Sequence, residues 1–413
     1  MISLNNGYAF GKVHIWSYDN EIENEGIILV INKYYNEGVF CKKINCIKGI
    51  ITLDLSETSH CIILAKSYDI PVIAVNLSEI EKITNDHYIF IEAKAGATNF
   101  NLCETRELWD KYQKKCDEYL LEKKKKLYLK DVKCISSNGR ETKIFANLIV
   151  PEEVHRVVEL GGEGIGVYRT EFLFLNRNDL PSEEEQFISY KYVAENMDNK
   201  TVVIRTIDIG GDKKIDYLNI EREENPFLGC RGIRFCLRNI DIFKTQLRAI
   251  LRASVYGNVS ILLPMVTTLE EVLESKKIIE LCKKELKSEG ELFCDVKLGI
   301  MVEVPAVAYQ IHRFTEHVDF LSIGTNDLIQ YFYAADRTNS KVCNLYKQSD
   351  EVFFDLIKNV IDIAHSKKIS CTVCGEMASN PDTIKRLLEY EIDELSVSTS
   401  LILDTKENVI TCI

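Results

Sequence analysis

The chain has 413 residues, of which 46% are hydrophobic, with 14 cysteines and a formal net charge of −12. That length exceeds one compact core and implies two domains, and the acidic balance excludes a general nucleic-acid binder. No apolar run is long enough for membrane insertion, and MISLNNGYAFGK lacks the basic-then-apolar pattern of a secretory signal, so a cytoplasmic protein is expected.

Residues 1–100 alternate short apolar runs with turns. GIILVIN, KGIITLD, DIPVIAVN and HYIFIEA predict strands, and LSETSHCIILAK predicts a helix between the second and third. Thr58 and Ser59 favour a helix start, while Ile62, Ile63 and Ala65 form its apolar face. His60 then falls in the first turn, beside unpaired backbone N–H groups that suit an anion. It is either an ordinary surface histidine or a side chain that carries something negative. Residues 101–130 lack Gly and Pro and set Leu108, Trp109, Tyr112, Cys116 and Tyr119 at helical spacing, which predicts a connecting helix. Lys123 to Lys126 read as its solvated face.

From about residue 141, strand candidates recur: ETKIFANL, GIGVYRT, TVVIRTIDIG, SILLPMV, LGIMVEV, DFLSIGTN, ISCTVCG and ELSVS. Helical patterns such as EEEQFISYKYVAENM and FKTQLRAILRASVYG separate them. This succession predicts a (β/α)8 barrel, with a doubly wound open sheet as the alternative. GGEGIG at 161–166 follows a helix and precedes a strand, the reverse of a dinucleotide fingerprint, and reads as a tight turn. Cys371 and Cys374 form a CxxC inside a strand, where residues three apart face opposite ways, which argues against a shared metal or disulfide.

Active-site side chains of such a barrel come from the C-terminal ends of its strands. Arg169 ends the second strand, Arg205 lies in the third with Asp208 after it, and Glu303 ends the fifth. Asn326 and Asp327 end the sixth, and Cys374 the seventh. Arg231 and Arg234 in NPFLGCRGIRFCL, Arg337 in AADRTN and Lys213 in IGGDKK add cations suited to phosphate and carboxylate oxygens. Glu303 and Asp327 could hold Mg²⁺ with positions left for substrate. Cys374 could exchange a proton with carbon, or be a small buried thiol.

These stretches carry a resemblance. GEGIGVYRTEFLFLNR, LPSEEEQF, VIRTIDIGGDK, ENPFLGCRGIRFCL, LPMVTTLEEV, GIMVEVPA, DFLSIGTNDLIQY, AADRTNS and VCGEMA are similar, in that order, to enzyme I of the bacterial sugar phosphotransferase system. TSHCIILAKSYDIPVIAV resembles the phosphohistidine segment of that family, and GYAFGKV its N-terminal strand. The resemblance implies a swivelling phosphohistidine α/β domain over residues 1–100, a connecting helix over 101–133, and a phosphoenolpyruvate-binding TIM-type barrel over 134–413. It implies that phosphoenolpyruvate phosphorylates His60 and that Cys374 protonates the enolate to pyruvate. Arg169, Arg205, Asn326 and Arg337 would bind the substrate, with Arg231 and Lys213 near the phosphate. Glu303 and Asp327 would hold Mg²⁺. A histidine-containing phosphocarrier protein would be the acceptor, sugar transport the setting, and a homodimer through the barrel the assembly.

The sequence departs from that family in three places. Only SYDNEIENE separates VHIW from GIILV, where the family inserts its helical carrier-docking subdomain. Leu55, Ser56 and Glu57 replace a Gly-Gly-Arg before the histidine segment, removing flexible glycines and trading a cation for an anion. The family's final helical segment is lacking after the eighth strand. Two other readings follow: a related phosphotransferase that uses a different acceptor or a separate nucleotide-binding subunit, and a degenerate sensor that binds phosphoenolpyruvate without turnover.

Overall fold

The structure, a computed structural model, describes residues 1–16, 26–31, 40, 43–53, 60–94, 97–135, 139–175, 177–210, 216–218, 223–336, 339 and 341–412, excepting the side chains of His60, Asp216 and Cys343. It divides into two compact units, Met1–Tyr128 and Leu129–Ile413.

The first unit is built on a seven-stranded sheet. Its strands are β1 (Ile2–Asn5), β2 (Gly7–Ile15), β3 (Ile27–Ile31), β4 (Ile47–Thr52), β5 (Val72–Ala74), β6 (Tyr88–Ala93) and β7 (Asn99–Leu102), in spatial order β1-β5-β4-β3-β2-β6-β7. β2 to β5 run parallel, which buries both faces and accounts for the unbroken apolar run IILVI of β3. Ala9, Val13, Ile28, Val30, Ile51 and Ile73 form the core on one face. On the other, Phe10, Phe90 and Cys116 join Trp109 and Tyr112 of the helix Arg106–Lys125. Tyr112 stacks on Phe90 with ring centroids 4.4 Å apart.

The helix predicted over 101–130 therefore belongs to this unit's core. It begins at Arg106, after β7, and Thr105 caps it by accepting from Leu108 N at 3.3 Å. Lys124 and Lys125 are exposed as expected of a solvated face, whereas Lys123 is half-buried and pairs with Asp69 at 2.8 Å. The predicted helix after the histidine segment spans His60–Ser67. The substituted residues Leu55, Ser56 and Glu57 lie outside the described residues, as does SYDNEIENE.

The second unit is a closed barrel of eight parallel strands: β8 (Lys143–Leu148), β9 (Ile165–Arg169), β10 (Val202–Arg205), β11 (Val259–Leu263), β12 (Lys297–Val302), β13 (Phe320–Gly324), β14 (Ser370–Cys374) and β15 (Glu394–Ser398). Each answers one of the eight strand candidates. β15 pairs with β8 from Glu394↔Lys143 to Ser398↔Asn147, closing the cylinder, and the helix Ile402–Thr411 follows it. Two outer helices start at capping boxes legible as S/T-x-x-E: Ser182 with Glu185, and Thr268 with Glu271. Inside the barrel, Val167, Val203, Leu262, Met301, Phe320 and Cys374 form one apolar layer. Cys371 belongs instead to the large core between strands and helices, so the two CxxC sulfurs face opposite sides of β14. Among the described residues, no helix is long and apolar enough to cross a membrane.

GGEGIG makes the turn between the helix Val154–Glu159 and β9. Gly161 sits there at φ +71°, and a Cβ would come within 2.0 Å of the Lys130 carbonyl oxygen. Gly161→Ala is expected to lower unfolding free energy by about 2 kcal/mol or more, from left-handed strain and overpacking together, read as a lower midpoint in denaturant. An unchanged midpoint would contradict this account of the turn.

Candidate active site

The strand ends gather charge at one mouth of the barrel. Arg169 and Arg205 are register partners at the ends of β9 and β10. Arg205 is only 6% exposed. It donates through Nη2 to Glu171 Oε1, and its Nη1 lies 3.3 Å from Asp208 Oδ2. Its backbone oxygen accepts from Thr170 Oγ1 at 2.9 Å, and Gln246 Nε2 donates to that hydroxyl at 3.0 Å. Burial works against the guanidinium charge, but the carboxylates of Glu171, Asp208 and Glu303 outweigh it and hold the group above its ordinary value. Arg205 Nε, however, has no partner among the described residues. A buried N–H left without an acceptor at the strand ends of the barrel suits an incoming anionic oxygen.

Arg231 is positioned by the backbone around it. Gly232 N donates to Ile209 O at 3.1 Å, and Gly210, at φ +110°, lies so close that a Cβ would come 2.9 Å from Arg231 Cα. The guanidinium bridges two acids. Nε and Nη2 donate to Asp208 Oδ1 and Oδ2, each at 3.0 Å, while Nη1 and Nη2 donate to Asp327 Oδ1 and Oδ2 at 2.8 and 3.1 Å. Arg234 turns elsewhere, to Leu228 O, Gly229 O and Thr267 Oγ1, and serves the loop rather than the mouth.

Glu303 follows β12 and is 1% exposed. Its Oε1 accepts from Met265 N at 2.6 Å, and Met265 adopts a left-handed φ of 56°. No hydrogen bond reaches Oε2 among the described residues. Burial, then the charges of Asp327 and Asp208, hold this carboxyl well above the usual carboxylate range despite both arginines. A cation would relieve that repulsion. The described residues contain no group of three metal-ligating side chains, but Mg²⁺ commonly takes one or two carboxylates and completes its shell with water and substrate oxygens. Glu303, with one oxygen unpartnered, and Asp327, whose two oxygens Arg231 takes in this structure, are hard oxygen donors of the kind that pattern uses.

Cys374 ends β14, in register with Gly324 of β13. Its thiol donates to Ile323 O at 3.4 Å and accepts from Ser322 Oγ at 3.7 Å. Burial pushes it up to about 11, against the Ser322 hydrogen bond and the charges of Arg169 and Arg205, so at neutral pH it is a thiol with a proton to give. Asn326 is fixed through Oδ1, which accepts from Glu376 N at 3.1 Å. That approach needs Gly375, at φ +96°, because a Cβ there would lie 2.8 Å from Asn326 Oδ1.

The structure thus brings Arg205, Arg231, Glu303 and Asp327 into one charged cluster, with Cys374 within the field of Arg169 and Arg205. Lys213, Arg337 and the His60 side chain lie outside the described residues. Nothing in the sequence alone marks Glu171, Ser322, Met265 or Tyr331 as members of this site. The strand-end rule covers Arg169 but not the acid two residues beyond it, and nothing in FLSIG marks Ser322 as the hydroxyl under a thiol.

Arg205→Met would take the guanidinium from buried Glu171 and leave Asp208 to Arg231 alone, with an expected loss of about 3–5 kcal/mol in denaturant unfolding. Adding Glu171→Gln should recover part of it. A double variant no more stable than the single one would contradict this pairing.

Residues 123–412 match the model of the PEP-binding domain of PEP-utilising enzymes, and residues 23–96 match that of their mobile domain. The chain is 43% identical over 364 residues to a phosphoenolpyruvate-protein phosphotransferase of Priestia megaterium, covering 88% of this chain and 63% of that protein. To the same-named protein of Geobacillus stearothermophilus it is 42% identical over 361 residues, covering 87% and 62%. The chain therefore spans less than two thirds of these curated relatives. Among solved structures, a citrate lyase from Burkholderia xenovorans LB400 covers 65% of this chain and 76% of its own at 13% identity and a TM-score of 0.43, too distant to inform fold or chemistry. With a matched PEP-binding domain over most of its length and a matched mobile domain before it, the chain belongs to the PEP-utilising enzymes.

Proposed function

We propose that this chain is a phosphoenolpyruvate-dependent phosphotransferase that moves the phosphoryl group to His60 and releases pyruvate. The observation that carries the reading is the union, on one barrel mouth, of an anion-seeking guanidinium and a protonated thiol: Arg205 with its unpartnered Nε, and Cys374 with its raised pKa. The first suits a phosphate or carboxylate oxygen, and the second suits a carbanion in need of a proton.

In this reading Arg169 and Arg205 take the anionic oxygens, Asn326 orients the substrate, and Arg337 and Lys213 add charge. The His60 imidazole supplies the electron pair that forms the new N–P bond. The bridging P–O bond breaks, and its electrons remain on the enolate oxygen. Cys374 Sγ–H then delivers its proton to the methylene carbon, giving the methyl group of pyruvate, and water returns a proton to the thiolate. Mg²⁺, held by Glu303 and Asp327, would supply Lewis-acid neutralisation of substrate oxygens. Phosphate would leave His60 for a protein acceptor such as a histidine-containing phosphocarrier, and the working assembly would be a homodimer through the barrel. Phosphoryl transfer asks mainly for alignment and charge compensation, which suits a mouth rich in fixed charges.

Incubation with phosphoryl-labelled phosphoenolpyruvate and Mg²⁺ should give an acid-labile, base-stable phosphoprotein that His60→Ala abolishes. Label persisting in His60→Ala, or none in the intact chain, would sink the reading. Cys374→Ser should slow pyruvate formation by about 10²–10⁴-fold while calorimetric affinity for phosphoenolpyruvate barely changes. Pyruvate released at the original rate would remove the thiol from the mechanism.

A further inference from the structure

Arg231 and Asp327 are engaged with each other in a way that neither a metal site nor a phosphate site can use. Both oxygens of Asp327 accept from the one guanidinium, at 2.8 and 3.1 Å. Both oxygens of Asp208 do the same at 3.0 Å, and the remaining N–H of Nη1 points at Tyr331 Oη, 3.4 Å away. Every N–H of Arg231 is thus accounted for, unlike Arg205, whose Nε waits for an acceptor. The Tyr331 hydroxyl donates in turn to Phe227 O at 2.5 Å, pinning the turn Pro226–Leu228 beside the arginine. Asp208 is 1% exposed and Asp327 half-buried, so the two contacts differ in how readily they open.

We infer that Arg231 is the resting counter-ion of Asp327 and must let go of that carboxylate before a divalent cation can be held there, its freed Nη groups then turning to the anionic substrate. Asp208 is the hinge: Arg231 keeps its bond to the deeper acid and releases the shallower one. An Arg231 so released has somewhere to go only when substrate oxygens are present, so metal and phosphoenolpyruvate each favour the other's binding. The inference deepens the proposed function and rests on Glu303 and Asp327 being the cation's ligands. It assigns Arg231 two successive partners, Asp327 at rest and substrate when the cation is bound, with Tyr331 as the positioning residue that holds it in the resting pose.

The test uses Mn²⁺ alone, with free ion followed by electron paramagnetic resonance and no substrate present. Arg231→Lys keeps the positive charge but cannot cover both Asp327 oxygens, so it should bind Mn²⁺ about tenfold more tightly than the unaltered chain. Equal or weaker binding by Arg231→Lys overturns the inference, because charge repulsion without a clamp would treat lysine and arginine alike. Should the lysine variant fail to fold, Tyr331→Phe decides instead: it should gain about threefold in Mn²⁺ affinity, and no gain refutes the clamp. If Mn²⁺ binds none of these proteins, with or without phosphoenolpyruvate, the metal site itself fails, and the inference with it. If Mn²⁺ binds all of them equally, only the clamp fails.

Discussion

The mouth of the barrel depends on a buried alternation of charge. Glu171, Arg205, Asp208, Arg231 and Asp327 form a chain in which each cation lies between two acids, and Asp208 is shared by both arginines. Charges so deeply buried cost several kcal/mol each to desolvate, and only mutual pairing offsets that cost. The consequence is geometric. Arg205 cannot move far without stranding its neighbours, so its guanidinium is fixed before any ligand arrives, whereas Arg231 is anchored on buried Asp208 and pairs more openly with half-buried Asp327. Fixed charge is what an anionic substrate needs, because the site spends little energy reorganising when the ligand enters.

The apolar interior beneath sharpens this arrangement. Val167, Val203, Leu262, Met301 and Phe320 surround Cys374 and keep water from the floor of the mouth. The same burial that strengthens ion pairing raises the thiol and keeps it protonated. Special backbone geometry is also found here. Met265 takes a left-handed φ of 56° and offers its N–H to Glu303, and Gly375 and Gly232 adopt positive φ where a side chain would strike Asn326 or Met265.

Much of the barrel was legible because each strand is a short apolar run punctuated by helices of different period, so DFLSIGTN or SILLPMV could hardly be anything else. The strand-end rule then gave Arg169, Arg205, Glu303 and Cys374 directly. It failed for partners that act through others. Glu171 is an acid in a turn, and only the folded register sets it against Arg205. In the first unit, β1 and β7 carry no sequence signal because ISLN and NFNL are too short and too polar to show a period. Missing β7 in turn stretched the helix predicted after it. Arg231 was legible as a cation suited to phosphate and carboxylate oxygens, but not as one already committed to two carboxylates, because sequence shows charges and not their partners.

The central claim is that this mouth breaks the phosphate ester of phosphoenolpyruvate when an imidazole is supplied. Rapid mixing of the purified chain with phosphoenolpyruvate and Mg²⁺, with pyruvate followed in time and no acceptor protein present, addresses it most directly. The account predicts a burst of pyruvate stoichiometric with intact His60, followed by a near halt. Steady turnover that ignores His60, or no pyruvate at all, would contradict it.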